Sequence, residues 1–443
     1  MTAETLPGYR GKLRELLTKA KVGVGDVVRV HTGGDSYEGT LLPRVENADE
    51  WHLVIKQKTG YNIGIAHADD LRVEKVGEAI KPEFRPPPLP PVKEGLPKVS
   101  IISTGGTIAS RVDYVTGGVY AAMSSRDLFS IVPELADIAQ IETDILYSVF
   151  SENINSDHWE GMAKRIAETI KKGADGVVIT HGTDTMGYST AALSLAVQNL
   201  PVPVIFVGSQ RSSDRPSSDS ATNLVAVVNA AAHAPFAEVA LGMHEDTSDD
   251  SIIFHPGAKV RKCHSSARYA FQTVNASPIA RYRSGKFEMI AEHYRPRQKS
   301  EPVIMNRFEK KVALLKFHPG FNPLIVDSFI DAGFRGIVFE GTGLGHVSEA
   351  CYDAIGRAEK AGILMGMTSQ CIWGRVNMNV YSMGRELTRR GVEPLGDMLP
   401  ETALVKMMWS LGNTKTTEEA RALLLTNVAG EYNDRTPYAR REP

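Results

Sequence analysis

Along the first eighty residues, apolar and polar positions alternate in five short runs: DVVRV (26–30), YEGTLL (37–42), WHLVIK (51–56), YNIGIAH (61–67) and LRVEKV (71–76). Period-two alternation marks a strand with one buried face, and turn residues such as Gly33-Gly34-Asp35 and Lys58-Thr59-Gly60 separate the runs. A short amphipathic helix is expected before them, near Gly11 to Lys21. Five strands at this spacing predict a small all-β barrel over residues 1–80. KPEFRPPPLPPVKEGLPK follows, with seven prolines between Pro82 and Pro97. Proline rings fix φ and keep such a stretch extended, so residues 81–98 read as a stiff linker.

Beyond the linker the rhythm changes to apolar runs alternating with helical periodicity. VSIIST (99–104), GVVIT (176–180), PVIFVG (203–208) and EVALGM (238–243) are strands, with helices expected near 157–171, from Met186, and over 220–232. After an irregular polar stretch at 276–310, KVALLKF (311–317), GIVFEG (336–341) and ILMGM (363–367) open a second set. It continues with helices expected near 347–361, 402–411 and 417–425. Near-continuous apolar strands alternating with helices predict an α/β body with mostly parallel sheets buried on both faces. It divides into one domain at 99–300 and another at 311–443. At 443 residues the chain is long enough for several cores.

Composition narrows the partners. Lys and Arg number 50 against 52 Asp and Glu, so no global field favours nucleic acid or an anionic membrane. The first 98 residues carry fifteen Lys/Arg against fourteen Asp/Glu, so contact with a protein partner suits the barrel better than contact with nucleic acid. No apolar run approaches the roughly 20 residues of a membrane-spanning helix, and MTAETLPGYRGKLRELL lacks the layout of a secretory signal. Three cysteines without metal-ligand spacing, Cys263, Cys351 and Cys371, fit free thiols in a reducing cytoplasm.

Two strands end in nearly the same device: Thr104-Gly105-Gly106-Thr107, and Thr180-His181-Gly182-Thr183-Asp184-Thr185. Glycine there permits close backbone approach and leaves amide N–H groups free for an oxyanion or carboxylate. Either motif alone is equally consistent with an ordinary helix cap. Two at carboxyl ends of one sheet converge on one crevice, where ligands bind in open α/β folds. A threonine hydroxyl is a weak nucleophile and needs an adjacent base. Asp184 is too weakly basic alone, but it can orient a lysine, and AKVRKCHSSARYAF (258–271) offers Lys262 on a loop. A solvated surface charge is the plainer reading of Lys262, as filler is of Cys263. His181 suits hydrogen bonding within its turn, in a supporting role.

IISTGGTIA (101–109) and VITHGTDT (178–185) resemble the two signature segments of the bacterial-type L-asparaginase/glutaminase family, and the chain from about Val99 onward can be laid onto it. The resemblance implies that Thr107 is the primary nucleophile. Thr183, Asp184 and Lys262 would form a second catalytic cluster, with the choice of acyl-forming threonine left open. It also implies that Ser151 and Glu152, with Gly106 and Gly182, bind substrate. Glu152 stands where ordinary asparaginases usually have Gln, and a carboxylate there would pair with a substrate α-ammonium. RVDYVTGGVY (111–120) looks like the family's mobile lid, whose tyrosine is either Tyr114 or Tyr120.

The N-terminal barrel, Glu152 and GSQRSSDRPSSDSATNL (208–224) together resemble the D-subunit family of archaeal glutamyl-tRNA(Gln) amidotransferases. That resemblance implies hydrolysis of glutamine to glutamate and ammonia. A partner, the amidotransferase's E-type chain, would bind tRNA(Gln) and use ATP and Mg to turn Glu-tRNA(Gln) into Gln-tRNA(Gln). The chain itself is expected to need no cofactor or metal. A homodimer core flanked by two partner chains, a heterotetramer, is the implied assembly. Two alternatives stand beside this reading: a free-standing cytoplasmic L-asparaginase/glutaminase, and a catalytically silent amino-acid sensor.

Overall fold

The computed structural model describes residues 6–44, 49–57, 62–78, 93–106, 110–112, 119–121, 128, 132–211 and 218–435, with the backbone alone at 110–112 and 119–121. The five N-terminal runs form β1 (Val27–Thr32), β2 (Asp35–Leu41), β3 (His52–Lys56), β4 (Asn62–Ala66) and β5 (Arg72–Gly77). They make one antiparallel sheet in the order β4-β3-β2-β1-β5. Val28, Val30, Leu41, Leu53 and Ile55 point into a core that Leu13 and Leu17 close from the helix Gly11–Lys19. Those two leucines are four residues apart, hence on one helical face. The helix stops short of the expected Lys21 because Lys21 itself takes a left-handed conformation, φ 56°.

The large sheet begins at β6 (Lys98–Ser103), so Lys98 belongs to a strand rather than to the linker, most of which lies outside the described residues. Next come the short hairpin β7 (Ser110–Val112) and β8 (Val119–Ala121), then β9 (Gln140–Ile145), β10 (Gly176–Thr180), β11 (Val197–Gln198), β12 (Val204–Val207) and β13 (Val239–His244). β14 (Ser251–Pro256), β15 (Val260–Lys262), β16 (Phe271–Thr273), β17 (Ala280–Arg283) and β18 (Lys286–Met289) follow. Eight of these strands form one sheet in the order β18-β17-β14-β13-β12-β10-β6-β9. β9, β6, β10, β12 and β13 are mutually parallel, and the remaining three add antiparallel.

Alternation along each central strand serves two cores. Ile101, Val178, Ile205 and Ala240 face the helix Ser220–His233, which contributes Leu224 and Val227. Ile102, Ile179, Phe206 and Leu241 face the helices Ser156–Lys171 and Met186–Ala196. The second sheet is parallel throughout: β20 (Val312–Lys316), β21 (Gly336–Gly341), β22 (Leu364–Ser369) and β23 (Val392–Pro394), with β19 (Val303–Ile304) pairing back onto β11. Val405 and Trp409 of the helix Pro400–Asn413 complete the core beneath Met186–Ala196, so the C-terminal part of the chain supports the large sheet.

Four further features depart from the expected elements. β9, QIETDI, is an edge strand, and its half-buried polar positions hide the alternation. The stretch 276–310 is not wholly irregular: β17 and β18 form a hairpin whose turn residues, Ser284 and Gly285, both have positive φ, as a two-residue turn requires. The helix expected from Val347 is a 3-10 turn at Glu349–Cys351 running into Tyr352–Lys360, because Ser348 caps the turn through Ala350 N. The helices Leu324–Asp331 and Ser382–Arg389 lie where no helix is expected.

Candidate active site

β6 and β10 are parallel neighbours with Ser103 opposite Thr180, so the two threonine motifs leave the sheet side by side. Thr104 is spent on this junction: its backbone N–H and its hydroxyl both donate to the Thr180 carbonyl, at 3.0 and 2.9 Å. The turns pack at backbone distance. A Cβ on Gly105 (φ +116°) would sit 2.2 Å from the Val149 carbonyl oxygen, and one on Gly106 (φ +88°) 2.6 Å from the Gly182 nitrogen. Gly182 in turn lies against Ser151, whose Cβ would be 2.7 Å from an added Cβ. Glycine is therefore required by sterics at all three positions, and by φ at the first two.

The helix after the second motif begins at Met186. Its N-cap residue, Thr185, makes no side-chain cap hydrogen bond. The hydroxyl donates to the Ser151 carbonyl instead, at 2.6 Å, and ties the segment around Ser151 to the strand end. The ordinary capping explanation of the motif is thereby removed.

Lys262 is the last residue of β15, not part of a loop, and pairs with Phe271 across the β15–β16 hairpin. A strand end fixes the direction of its long side chain, which is largely buried. Nζ donates to Thr183 Oγ1 at 2.9 Å and to Asp184 Oδ1 at 2.7 Å. Asp184 is 71% exposed and Lys262 13%, so the carboxylate reaches the lysine from the solvent side. The three side chains thus form the contact that a base-assisted hydroxyl needs.

His181, fully buried, stands behind this cluster. Burial pushes its pKa down from 6.5 to about 4, with the Gly182 carbonyl opposing, so the ring is neutral at pH 7. A carbonyl can only accept, so Nδ1 carries the proton and donates to Gly182 O at 2.7 Å. Nε2 then accepts from Ser189 Oγ at 2.9 Å, and Ser189 accepts from Trp159 Nε1 at 2.9 Å. Both ring nitrogens are occupied, which leaves His181 to shape the turn.

A cleft of about 480 Å³ joins these pieces, with Gly106, Ser151, Glu152, Gly182, Thr183, Asp184 and Lys262 on its walls. Every expected site residue but Thr107 is therefore gathered in one place; Thr107 and Tyr114 lie outside the described residues. Tyr120 sits in β8 with its backbone opposite Arg111. Glu152 is exposed within a 3-10 turn, Ser151–Asn153, and Ser151 is buried. Cys263 is no thiolate: partial desolvation pushes its thiol above the ordinary value.

Ser209, Gln210 and Ser265, not among the expected site residues, also line the cleft. Ser209 and Gln210 follow β12, the next parallel strand, and Gly208, just past its end, would place an added Cβ 2.8 Å from Thr183 Cγ2. A third apolar strand ending in glycine and a hydroxyl residue was the available signal. Buried Asp219 organises this turn, accepting from Ser209 Oγ at 2.7 Å, Gln210 N at 3.0 Å and Arg211 N at 2.9 Å.

Comparison with known proteins agrees with this geometry. Residues 98–295 match the model described as asparaginase, N-terminal; residues 311–424 match the glutaminase/asparaginase C-terminal domain, and residues 22–76 the GatD N-terminal domain. Among solved structures, the thermostable L-asparaginase from Thermococcus kodakarensis superposes with a TM-score of 0.68 at 31% identity, over 76% of this chain and 99% of that one. L-asparaginase I from Vibrio cholerae gives 0.67 at 25% identity, over 76% and 99%. Two curated relatives, each named as the D-subunit of glutamyl-tRNA(Gln) amidotransferase, are 47% identical: that of Metallosphaera sedula over 97% of both chains, and that of Pyrococcus abyssi over 97% of this chain and 98% of its own. With that identity sustained from the N-terminal β-rich region through both asparaginase-like domains, the chain belongs to the D-subunit family of glutamyl-tRNA(Gln) amidotransferases.

Proposed function

We propose that this chain is the glutaminase component of a tRNA-dependent amidotransferase. It hydrolyses glutamine to glutamate and ammonia, and a partner chain uses the ammonia to convert Glu-tRNA(Gln) to Gln-tRNA(Gln). The observation that carries the chemistry is the contact of Lys262 Nζ with both Thr183 Oγ1 and Asp184 Oδ1 at the end of β10.

A threonine hydroxyl, that of Thr107 or Thr183, attacks the side-chain amide carbon. Its proton passes to the base and from there to the leaving nitrogen, so that an ester forms as the C–N bond breaks and ammonia leaves. Water then adds to the ester and returns the threonine and glutamate. Lys262 Nζ is the acceptor for the Thr183 proton during attack, and Asp184 holds the amine in line. The tetrahedral oxyanion lies against backbone N–H groups of the glycine turns, where each donor is worth about 10²–10³ in rate. Glu152 receives the α-ammonium group of the amino acid.

No cofactor is needed in this chain; ATP and Mg act at the partner, the E-type chain, which also carries most of the tRNA contact. The working assembly is a homodimer of this chain flanked by two partners, in the cytoplasm. Among the described residues no helix is long and apolar enough to cross a membrane. Bulk water would protonate free ammonia and abolish its nucleophilicity, which is the physical reason for a guided path between the two sites.

The test is ammonia release from glutamine by wild type, Thr107→Ala and Lys262→Met. Wild type should be active and both variants nearly silent. Equal rates in all three would refute the site, and full activity without partner or tRNA would favour a free-standing asparaginase/glutaminase.

A further inference from the structure

The hairpin that carries Lys262 pairs with no other strand among the described residues; β15 and β16 form a two-stranded sheet of their own. Its base is nevertheless fixed, and by residues far along the chain. Lys259, immediately before β15, is 1% exposed, and its Nζ lies 3.0 Å from Oδ2 of the fully buried Asp397 and 3.2 Å from the Asp397 carbonyl. The backbone of Asn433, near the C-terminus, donates from N to Asp397 Oδ1 at 2.8 Å, and its side chain donates to Oδ2 at 2.9 Å. The same side chain donates to the carbonyl of Asn275 at 2.8 Å.

Asn275 follows β16 and takes a left-handed conformation, φ 58°. Its amide exchanges two hydrogen bonds with Gly374, at 2.8 and 2.9 Å, and donates to Asp397 O at 3.3 Å. Both legs of the hairpin are thus held by the C-terminal part of the chain, and Val274 N closes them on Lys259 O at 2.8 Å. Thr402 adds a bond to Ala258 O at 2.9 Å.

A buried ion pair contributes little net stability compared with an apolar pair of similar size, because desolvation offsets its attraction. Its directional bonds do fix position. From this arrangement we infer that Lys259, Asn275, Asp397 and Asn433 form a latch by which the C-terminal segment positions the hairpin, and so places Lys262 against Thr183 and Asp184. These are positioning residues, and none lines the cleft where glutamine is proposed to bind. The inference rests on the reading of Lys262 as the base of the glutaminase reaction. It extends that site to the domain contact and to the chain terminus.

The experiment compares wild type, Lys262→Met, Asn433→Ala and the neutral pair Lys259→Met/Asp397→Leu, each as full-length chain assembled with its partner and supplied with Glu-tRNA. Steady-state glutamine hydrolysis is measured well below each variant's unfolding midpoint. Asn433→Ala removes no buried charge and is the variant most certain to fold; the neutral pair leaves no charge unpartnered. Both are expected to lose about 10- to 100-fold in kcat, the scale of an approximately 1 Å misplacement, with KM for glutamine within about twofold of wild type. Wild-type kcat in both variants beside an inactive Lys262→Met, with only the unfolding midpoint lowered, would overturn the latch alone. Full activity of Lys262→Met would overturn Lys262 as the base and the latch with it, whereas absence of glutamine hydrolysis by wild type would overturn the glutaminase reading itself.

Discussion

Lys262 and Thr183 are separated by 79 positions in sequence, yet Lys262 Nζ donates to Thr183 Oγ1 at 2.9 Å. Parallel pairing of β6 with β10 presents Thr183, and the end of the antiparallel strand β15 presents Lys262. Replacing Lys262 with Met keeps most of the buried stem and removes the amine. Glutamine hydrolysis should fall about 10²–10⁴-fold, the range of general-base contributions, while the circular dichroism spectrum and unfolding midpoint stay close to wild type.

Gly106→Ala addresses the junction of the two turns. An alanine at φ +88° costs about 1–2 kcal/mol from backbone conformation alone, and its Cβ would stand 2.6 Å from the Gly182 nitrogen. The variant should unfold at lower urea concentration and lose glutaminase activity by more than the fraction unfolded. Gly173→Ala, with φ +92° in open space, separates the two effects: it should show the conformational cost with activity retained.

His181 makes stability depend on pH. Its folded pKa, about 4, lies below the ordinary 6.5, so in the unfolded chain the ring takes up a proton first as pH falls. The contribution is complete above about pH 6.5, is lost between there and about 4, and amounts to roughly 3 kcal/mol over that window. His255, pushed down to about 3 by burial, acts in the same direction. Urea denaturation from pH 7 to pH 4.5 should show falling stability, and His181→Gln should flatten the dependence. An unchanged slope in that variant would remove His181 from the account.

Lys406 and Glu431 form an ion pair with both side chains fully buried, and Glu431 also accepts from Val428 N and Ala429 N. Removing one partner leaves the other charge in the interior. Glu431→Ala should therefore destabilise by about 3–5 kcal/mol, measured by equilibrium unfolding. Lys406→Met/Glu431→Leu should recover much of that loss.

Much of this architecture was legible beforehand. Val177 to Ile179 and Ile101 to Ile102 are apolar at every position because their strands are covered on both faces, and such runs announce a parallel core. Thr183, Asp184 and Lys262 could be paired on chemistry and family resemblance before any distance was known. Gln140–Ile145 was not legible, since an edge strand needs only half its surface apolar. Nor was the hold of Asp397 and Asn433 on Lys259: polar residues this far apart carry no periodic signal, and only packing of the two domains brings them together. Ser209 and Gln210 fell between these cases: they lie in GSQRSSDRPSSDSATNL (208–224), which carries the family resemblance, but nothing in that stretch marks them as cleft residues beyond Gly208 at a strand end.

The central claim is that this cleft releases ammonia from glutamine for use by a partner chain. Its most direct test is ammonia and Gln-tRNA(Gln) formation by the chain assembled with its partner, ATP, Mg and Glu-tRNA(Gln), using glutamine labelled in the side-chain amide nitrogen. Label is expected in the tRNA-bound amide, lost in Thr107→Ala and Lys262→Met, with amidation restored in both when free ammonia is added. Labelled product from either variant at the wild-type rate, without added ammonia, would contradict it.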